Sequence, residues 1–281
     1  MGIKSKIKQI IYDVFPKIKE EKLYPIPQPI NVQQLLQGKV ALITGGSGGL
    51  GGAIAESFVK SGCKVILSGT NEEKLARKCQ EIGDSAKYIV IDLKDIKSFD
   101  EKVQEAHYLF SDYSHIDILV NSAGIGVHNS FENIQENEYD TIMDVNAKGT
   151  FFMCQSVSKY MINNNIKGHI LNISSSSSLR PAWTPYEMSK WAIKGFTLGL
   201  ADTLLPHGII VNAIAPGPVA TQMLGKSSEG DISRHKQPSG RYAVPSEIAA
   251  LATFMVSDFG NLIVGDTYYI TGGSGLLSTH H

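Results

Sequence analysis

Tyr186-Glu187-Met188-Ser189-Lys190 sets a phenol four residues before an ammonium, a spacing that stacks both side chains on one face of a helix. A phenol ionises near pH ~10 in water, too high for proton exchange at neutral pH, but a cation held beside it favours the phenolate and lowers that value. A tyrosine tuned in this way serves as a general acid or base. The same spacing also arises as a plain surface pair worth only about a few tenths of a kcal/mol. A second feature has to decide.

That feature is Thr44-Gly45-Gly46-Ser47-Gly48-Gly49-Leu50-Gly51, which follows the apolar run Val40-Ala41-Leu42-Ile43 and opens a helix-length segment. Glycines let a backbone turn tightly and approach a pyrophosphate, whose charge is met by the N–H groups at the helix start. The loop parses as Thr-Gly-x-x-x-Gly-x-Gly through Gly45, Gly49 and Gly51, or as Gly-x-x-Gly-x-x-Gly through Gly45, Gly48 and Gly51. Either is a dinucleotide-binding pattern in a strand-to-helix setting.

The elements that must hold these groups alternate. Residues 40–43, 64–67, 88–91, 116–120, 169–173 and 209–214 read as short strands, most of them too apolar to have a wet face. Helix-length segments at 53–61, 71–82, 139–161 and 186–205 lie between them, and a further helix starts at Pro245. Buried strands alternating with helices imply an α/β, doubly wound, Rossmann-type parallel sheet of about seven strands with helices on both faces. Ligands of such sheets bind beyond the carboxyl ends of the strands.

In this order the motifs resemble the short-chain dehydrogenase/reductase family, from about Gly38 to Thr271. Thr44-Gly45-x-x-x-Gly49-x-Gly51 is similar to its cofactor loop, and Asn121-Ser122-Ala123-Gly124 to its Asn-Asn-Ala-Gly segment. Asp144-Val145-Asn146 fits its mid-helix asparagine, Ile173-Ser174-Ser175 its serine strand end, and Pro216-Gly217-Pro218-Val219-Ala220-Thr221 its Pro-Gly-x-Val-x-Thr segment. The resemblance favours the first parse of the loop, because the second belongs to longer relatives that modify sugar nucleotides.

The resemblance implies the roles. Tyr186 exchanges a proton with the substrate oxygen as hydride moves between nicotinamide and carbon. Lys190 lowers the tyrosine pKa and holds the nicotinamide ribose, and Ser175 donates to the developing oxyanion. Asn146 holds a water that links Lys190 to solvent. Ser176 is the alternative to Ser175, since Ser174 to Ser178 are all serines. The cofactor contacts implied are Thr44, Gly45, Ser47, Gly48, Gly49, Leu50 and Gly51 at the diphosphate, then Thr70 and Asn71 at the second strand end. Asp92 and Leu93 follow at the third, with Asn121, Ala123 and Gly124 beside the adenosine. Pro216, Gly217, Val219 and Thr221 lie near the carboxamide, together with Tyr186 and Lys190. Asp92 also reads as an ordinary helix N-cap.

An acidic residue at the end of the second strand would bind a ribose 2′-OH and repel a 2′-phosphate. Here the stretch is Ser68-Gly69-Thr70-Asn71, with Lys74 and Arg77 further on and Glu72 and Glu73 in opposition, which favours NADP(H) over NAD(H). The general look is similar to bacterial β-ketoacyl-(acyl carrier protein) reductases. The expected reaction is reduction of a ketone to a secondary alcohol, with a 3-oxoacyl thioester favoured and sugar or polyol dehydrogenation as the alternative. Met223, Leu224, Trp183 and Pro181 are candidates for an apolar substrate wall. Arg180, Lys226, Arg234 and Lys236 either contact an acidic partner such as an acyl carrier protein or are solvated surface. A non-catalytic redox sensor would keep the glycine loop but has no need of Ser175, Tyr186 and Lys190 together.

The totals exclude other classes. A net charge of −1 over 281 residues leaves no basic field for nucleic acid. Three scattered cysteines suit reduced thiols in a cytoplasm, and the eight histidines show no metal-ligand spacing. Residues 1–37 read as an amphipathic, lysine-rich arm and a proline-rich linker, and residues 38–281 as one catalytic domain. The arm suits docking on protein better than membrane contact through residues 1–24. His280 and His281 are given no role. The family resemblance implies a homodimer or homotetramer built on the two longest helices.

Overall fold

Apolar side chains that alternate between two buried faces make the sheet. The computed structural model describes residues 34–110, 115–227 and 230–277. In β1 (Val40–Thr44), Ala41 and Ile43 enter one core while Val40 and Leu42 enter the other. β2 (Lys64–Gly69), β4 (Ile118–Asn121), β5 (His169–Ile173) and β6 (Ile210–Pro216) are buried in the same two-sided way. Period two with both faces apolar is what a covered parallel sheet requires. β3 (Ala86–Val90) and β7 (Thr267–Ile270) form the edges and are partly exposed. The order is β3-β2-β1-β4-β5-β6-β7 with every pairing parallel. The seven-stranded doubly wound sheet is therefore as expected.

Helices close each face. α1 (Gly49–Lys60), α2 (Glu72–Ile82) and α7 (Pro245–Met255) bring Phe58, Leu75 and Met255 into one core. On the other face lie α3 (Phe99–His107), the helix α5 (Thr150–Asn163) and α6 (Pro185–Leu204), which bring Phe99, Met153 and Leu204 into the second core. Each such side chain, fully buried, contributes about 1.5–3 kcal/mol.

Two local features place the chemistry. The start of α6 is fixed by a capping box between Thr184 and Glu187, with Pro185 in the first turn. Tyr186 therefore sits in the first turn and Lys190 in the second. The segment read as one helix over 139–161 is instead α4 (Glu136–Met143), a π turn at Asp144–Gly149, and α5. Such a turn takes up an extra residue and breaks the 3.6 period, and Asn146 within it is 1% exposed.

The described residues all belong to one compact unit. The expected arm and linker lie outside the described residues up to residue 33, as do His280 and His281. Leu36, however, is fully buried against the first core, and its N–H donates to the Ser61 carbonyl at 2.9 Å. Among the described residues no helix is long and apolar enough to cross a membrane.

Candidate active site

Strand order reverses between β1 and β4, so the loops leaving their carboxyl ends run apart and open a crevice. A cleft of about 990 Å³ lies there, at the upper end of the range for small-molecule sites. The residues expected at the diphosphate, Thr44, Gly45, Ser47, Gly48, Gly49, Leu50 and Gly51, all line it. Gly45 has φ +66°, and a β-carbon there would sit 2.8 Å from the Ala123 Cα. A β-carbon on Gly51 would collide with the Gly45 carbonyl oxygen. Only glycine permits so tight a turn.

The residues present fit a dinucleotide. α1 begins with no side-chain cap and no acidic residue in its first turn, which leaves its N–H groups for an anion. The Ser122 hydroxyl in the cleft wall is buried with no protein partner, a group that calls for a ligand acceptor or donor. When bound, the nicotinamide supplies or accepts hydride.

Thr70 and Asn71 border the cleft where β2 ends, and no carboxylate stands at that turn. Asn71 caps α2 by accepting from the Lys74 N–H at 2.8 Å, and Lys74 itself lines the cleft. Glu72 is drawn toward β3 by the Tyr88 hydroxyl, which donates to it at 3.2 Å. Asp92 and Leu93 also line the cleft, and one Asp92 oxygen accepts from the Lys94 N–H at 2.9 Å. Asp92 is thus a turn-former whose second oxygen is uncommitted.

Ala123, Gly124, Pro216, Gly217, Val219 and Thr221 stand in the cleft wall. Asn121 does not. Its side chain turns beneath the sheet end, donating to Cys154 Sγ at 3.1 Å and Asn172 Oδ1 at 3.0 Å. Asn172 in turn donates to Thr197 Oγ1 at 3.0 Å, so this buried chain ties β4 and β5 to α5 and α6. Asn121 orders the frame.

At the far end Ser175, Tyr186 and Lys190 line one wall. The Lys190 ammonium lies 5.8 Å from the Tyr186 ring centroid, within cation–π range, and donates to the Ile173 carbonyl at 3.0 Å. Among the described residues it has no carboxylate partner, and burial pushes its pKa down to about 8. Burial pushes the Tyr186 phenol up; the hydrogen bond with Ser175 opposes this, and Glu187 adds to it. Without a bound cofactor, burial outweighs the lowering by Ser175, so the phenol lies above its ordinary value. Both candidate serines line the cleft; Ser175 is the one that acts on the Tyr186 phenol, and its Oγ accepts from the Ser177 N–H at 3.1 Å, whereas Ser176 is 4% exposed.

Asn146 does not line the cleft. Its amide clamps the Ile125 backbone, accepting from the N–H and donating to the carbonyl, both at 2.9 Å. It also donates to Ser189 Oγ at 3.2 Å, and Ser189 donates to the Tyr186 carbonyl at 2.7 Å. Ser174 Oγ donates to the Lys190 carbonyl at 3.1 Å. Ser174 and Ser189 thus brace the first two turns of α6, roles that nothing in the spacing of the sequence singled out. Met223 and Leu224 line the substrate end, while Pro181 and Trp183 stand outside it.

Known proteins agree with this geometry. The model of the family described as short chain dehydrogenase matches residues 39–231. The 3-oxoacyl-(acyl-carrier-protein) reductase of Rickettsia conorii is 36% identical over 242 residues, covering 85% of this chain and 97% of that protein. Galactitol 2-dehydrogenase of Agrobacterium fabrum is 35% identical over 254 residues, covering 85% and 98%. The structure of a 3-ketoacyl-(acyl-carrier-protein) reductase from Brucella melitensis complexed with NADH superposes with a TM-score of 0.77 at 32% identity, covering 85% of this chain and 99% of that one. The fold and cleft define a nicotinamide-dinucleotide oxidoreductase acting on CH–OH groups. The chain belongs to the short-chain dehydrogenase/reductase family.

Proposed function

We propose that this enzyme is an NADP(H)-dependent reductase that converts a ketone to a secondary alcohol, with a 3-oxoacyl thioester as its substrate. The observation that carries the reading is the meeting of Ser175, Tyr186 and Lys190 in one wall of the glycine-loop cleft. Ser175 donates to the carbonyl oxygen and stabilises the charge that develops there. Tyr186, held protonated by burial, gives its proton to that oxygen, and Lys190 keeps a positive charge beside the phenolate left behind. Asn146 acts by tying the Ile125 backbone to Ser189 of α6.

The NADP(H) preference rests on the β2 end: no carboxylate, Lys74 in the cleft wall, and Glu72 engaged by Tyr88. The thioester rests on the reductase relatives, and galactitol 2-dehydrogenase supports a polyol as the second reading. Turnover of 3-oxoacyl thioesters, diketones and keto-sugars with each cofactor tests both points. The expected result is a kcat/KM at least about tenfold higher with NADPH than with NADH, on the thioesters, equivalent to ~1.4 kcal/mol. Preference for NADH, or turnover of keto-sugars alone, overturns the corresponding half.

A homodimer or homotetramer is also proposed, because Phe151 of α5 and Trp191 and Leu198 of α6 leave apolar surface 42–63% exposed. Sedimentation equilibrium at micromolar concentration is expected to give a multiple of the chain mass; a monomer refutes it.

A further inference from the structure

Two guanidinium groups at the substrate end of the cleft have no part in the proton chemistry. Arg180 comes from the β5–α6 connection, six residues before Tyr186, and Arg234 from the segment between β6 and α7; both line the same cleft. Each is fixed by neutral partners. Arg180 Nη2 donates to Ser274 Oγ at 2.8 Å, and the Arg180 carbonyl accepts from Trp191 Nε1 at 2.8 Å. The Arg234 guanidinium lies 4.9 Å from the Tyr242 ring centroid, and its backbone N–H donates to the Gly240 carbonyl at 2.7 Å.

Among the described residues neither makes a salt bridge. Asp231, the acid nearest Arg234 in sequence, accepts instead from the Ser233 backbone at 2.9 Å and its hydroxyl at 3.0 Å. Arg241 shows the contrast: Glu247 meets it twice, at 2.9 and 2.6 Å. Arg241 also stands outside the cleft. Among the described residues the one acid in the cleft wall is Asp92, beside the end of β3. A half-buried guanidinium without a counter-ion is costly to desolvate, and a planar anion of the substrate would restore its hydrogen bonds.

We infer that Arg180 and Arg234 form an anion clamp, selecting carbonyl substrates that carry an additional carboxylate or phosphate beyond the reacting ketone. The inference rests on the carbonyl reduction proposed above and narrows its substrate class. The anion has two sources: a carboxylate on the acyl chain, or the phosphate of a phosphopantetheine arm. Met223 and Leu224 would cover the carbon chain between the ketone and the anion.

The test uses matched pairs with NADPH and the full chain. Acetoacetyl-N-acetylcysteamine is compared with 3-oxoglutaryl-N-acetylcysteamine, and acetoacetyl-pantetheine with acetoacetyl-4′-phosphopantetheine. One anionic member is expected to exceed its neutral partner in kcat/KM by about tenfold or more, and the pair showing this identifies the source. Arg180→Gln and Arg234→Gln should each collapse that ratio toward one, and Lys at either site should keep part of it. Equal kcat/KM within both pairs, or a ratio that survives both Gln variants, overturns the clamp. No turnover of any thioester would instead count against the proposed reaction. The clamp is then read by calorimetry of the NADP-loaded protein with 3-hydroxyglutarate and with pantetheine 4′-phosphate. Binding of either that weakens about tenfold in the Gln variants supports it, and no binding or equal binding refutes it.

Discussion

Replacing Tyr186 by Phe is expected to lower kcat by roughly 10²–10⁴-fold, the range that a positioned proton donor contributes, with NADPH affinity nearly unchanged. The asymmetry follows from what the substitution removes. The ring stays in the first turn of α6, its face toward the Lys190 ammonium, and the capping box from Thr184 to Glu187 is untouched. Only the hydroxyl goes, and with it the interaction with Ser175. Burial holds this phenol protonated at neutral pH, the state a donor needs when a ketone is reduced. Stopped-flow binding of NADPH separates the two effects. A parallel loss of cofactor affinity would assign Tyr186 to structure instead, and undiminished turnover would remove it from the chemistry.

The sheet was legible because its strands are unambiguous: residues 169–173 hold one strand in both readings, and the others shift by a few residues at their ends. β7 was not placed from the sequence, since Thr267-Tyr268-Tyr269-Ile270 is an edge with mixed exposure and carries no buried run. The helix opened by the glycine loop starts at Gly49, a few residues ahead of the segment counted from residue 53. Gly49, Gly51 and Gly52 are poor helix formers, and tertiary contacts override propensity there. The π turn was invisible to a periodicity count because it violates the period.

The site divides along the same line. Residues that act through backbone shape or a local motif, such as Gly45, Gly51, Tyr186 and Lys190, could be read from spacing. Residues that act through distant contacts could not. Asn121 sits inside a recognisable segment yet faces Cys154 and Asn172, 33 and 51 positions away. Arg180 and Arg234 come from separate connections, and only the folded cleft makes them part of one lining. A motif states which residue types are present; which way a side chain turns at a strand end depends on helices packed from elsewhere.

Lys190→Met should reduce both kcat and cofactor affinity, and any surviving activity should lose its alkaline limb near pH 8 and extend to higher pH. The sign follows from the charge. In the native enzyme burial depresses the amine to about 8, so it is a cation below that value and loses its charge as pH rises through it. A cation beside the phenol eases its ionisation; without it the phenol, already raised by burial, holds its proton to still higher pH. The stability effect runs the opposite way. A lysine whose pKa is lower in the folded than in the unfolded chain disfavours folding for as long as the unfolded chain holds that proton. That penalty is fully present below about pH 8 and relieved as pH climbs toward 10.5. Its size is about 3 kcal/mol, offset in the variant by the Ile173 carbonyl losing its donor. Lys190→Met is therefore expected to resist urea at pH 7 at least as well as the native enzyme while being catalytically crippled. Kinetics across pH 6–10 and urea unfolding at pH 7 check the two halves. A variant that is inactive because it has unfolded would show that the amine serves the frame and not the reaction.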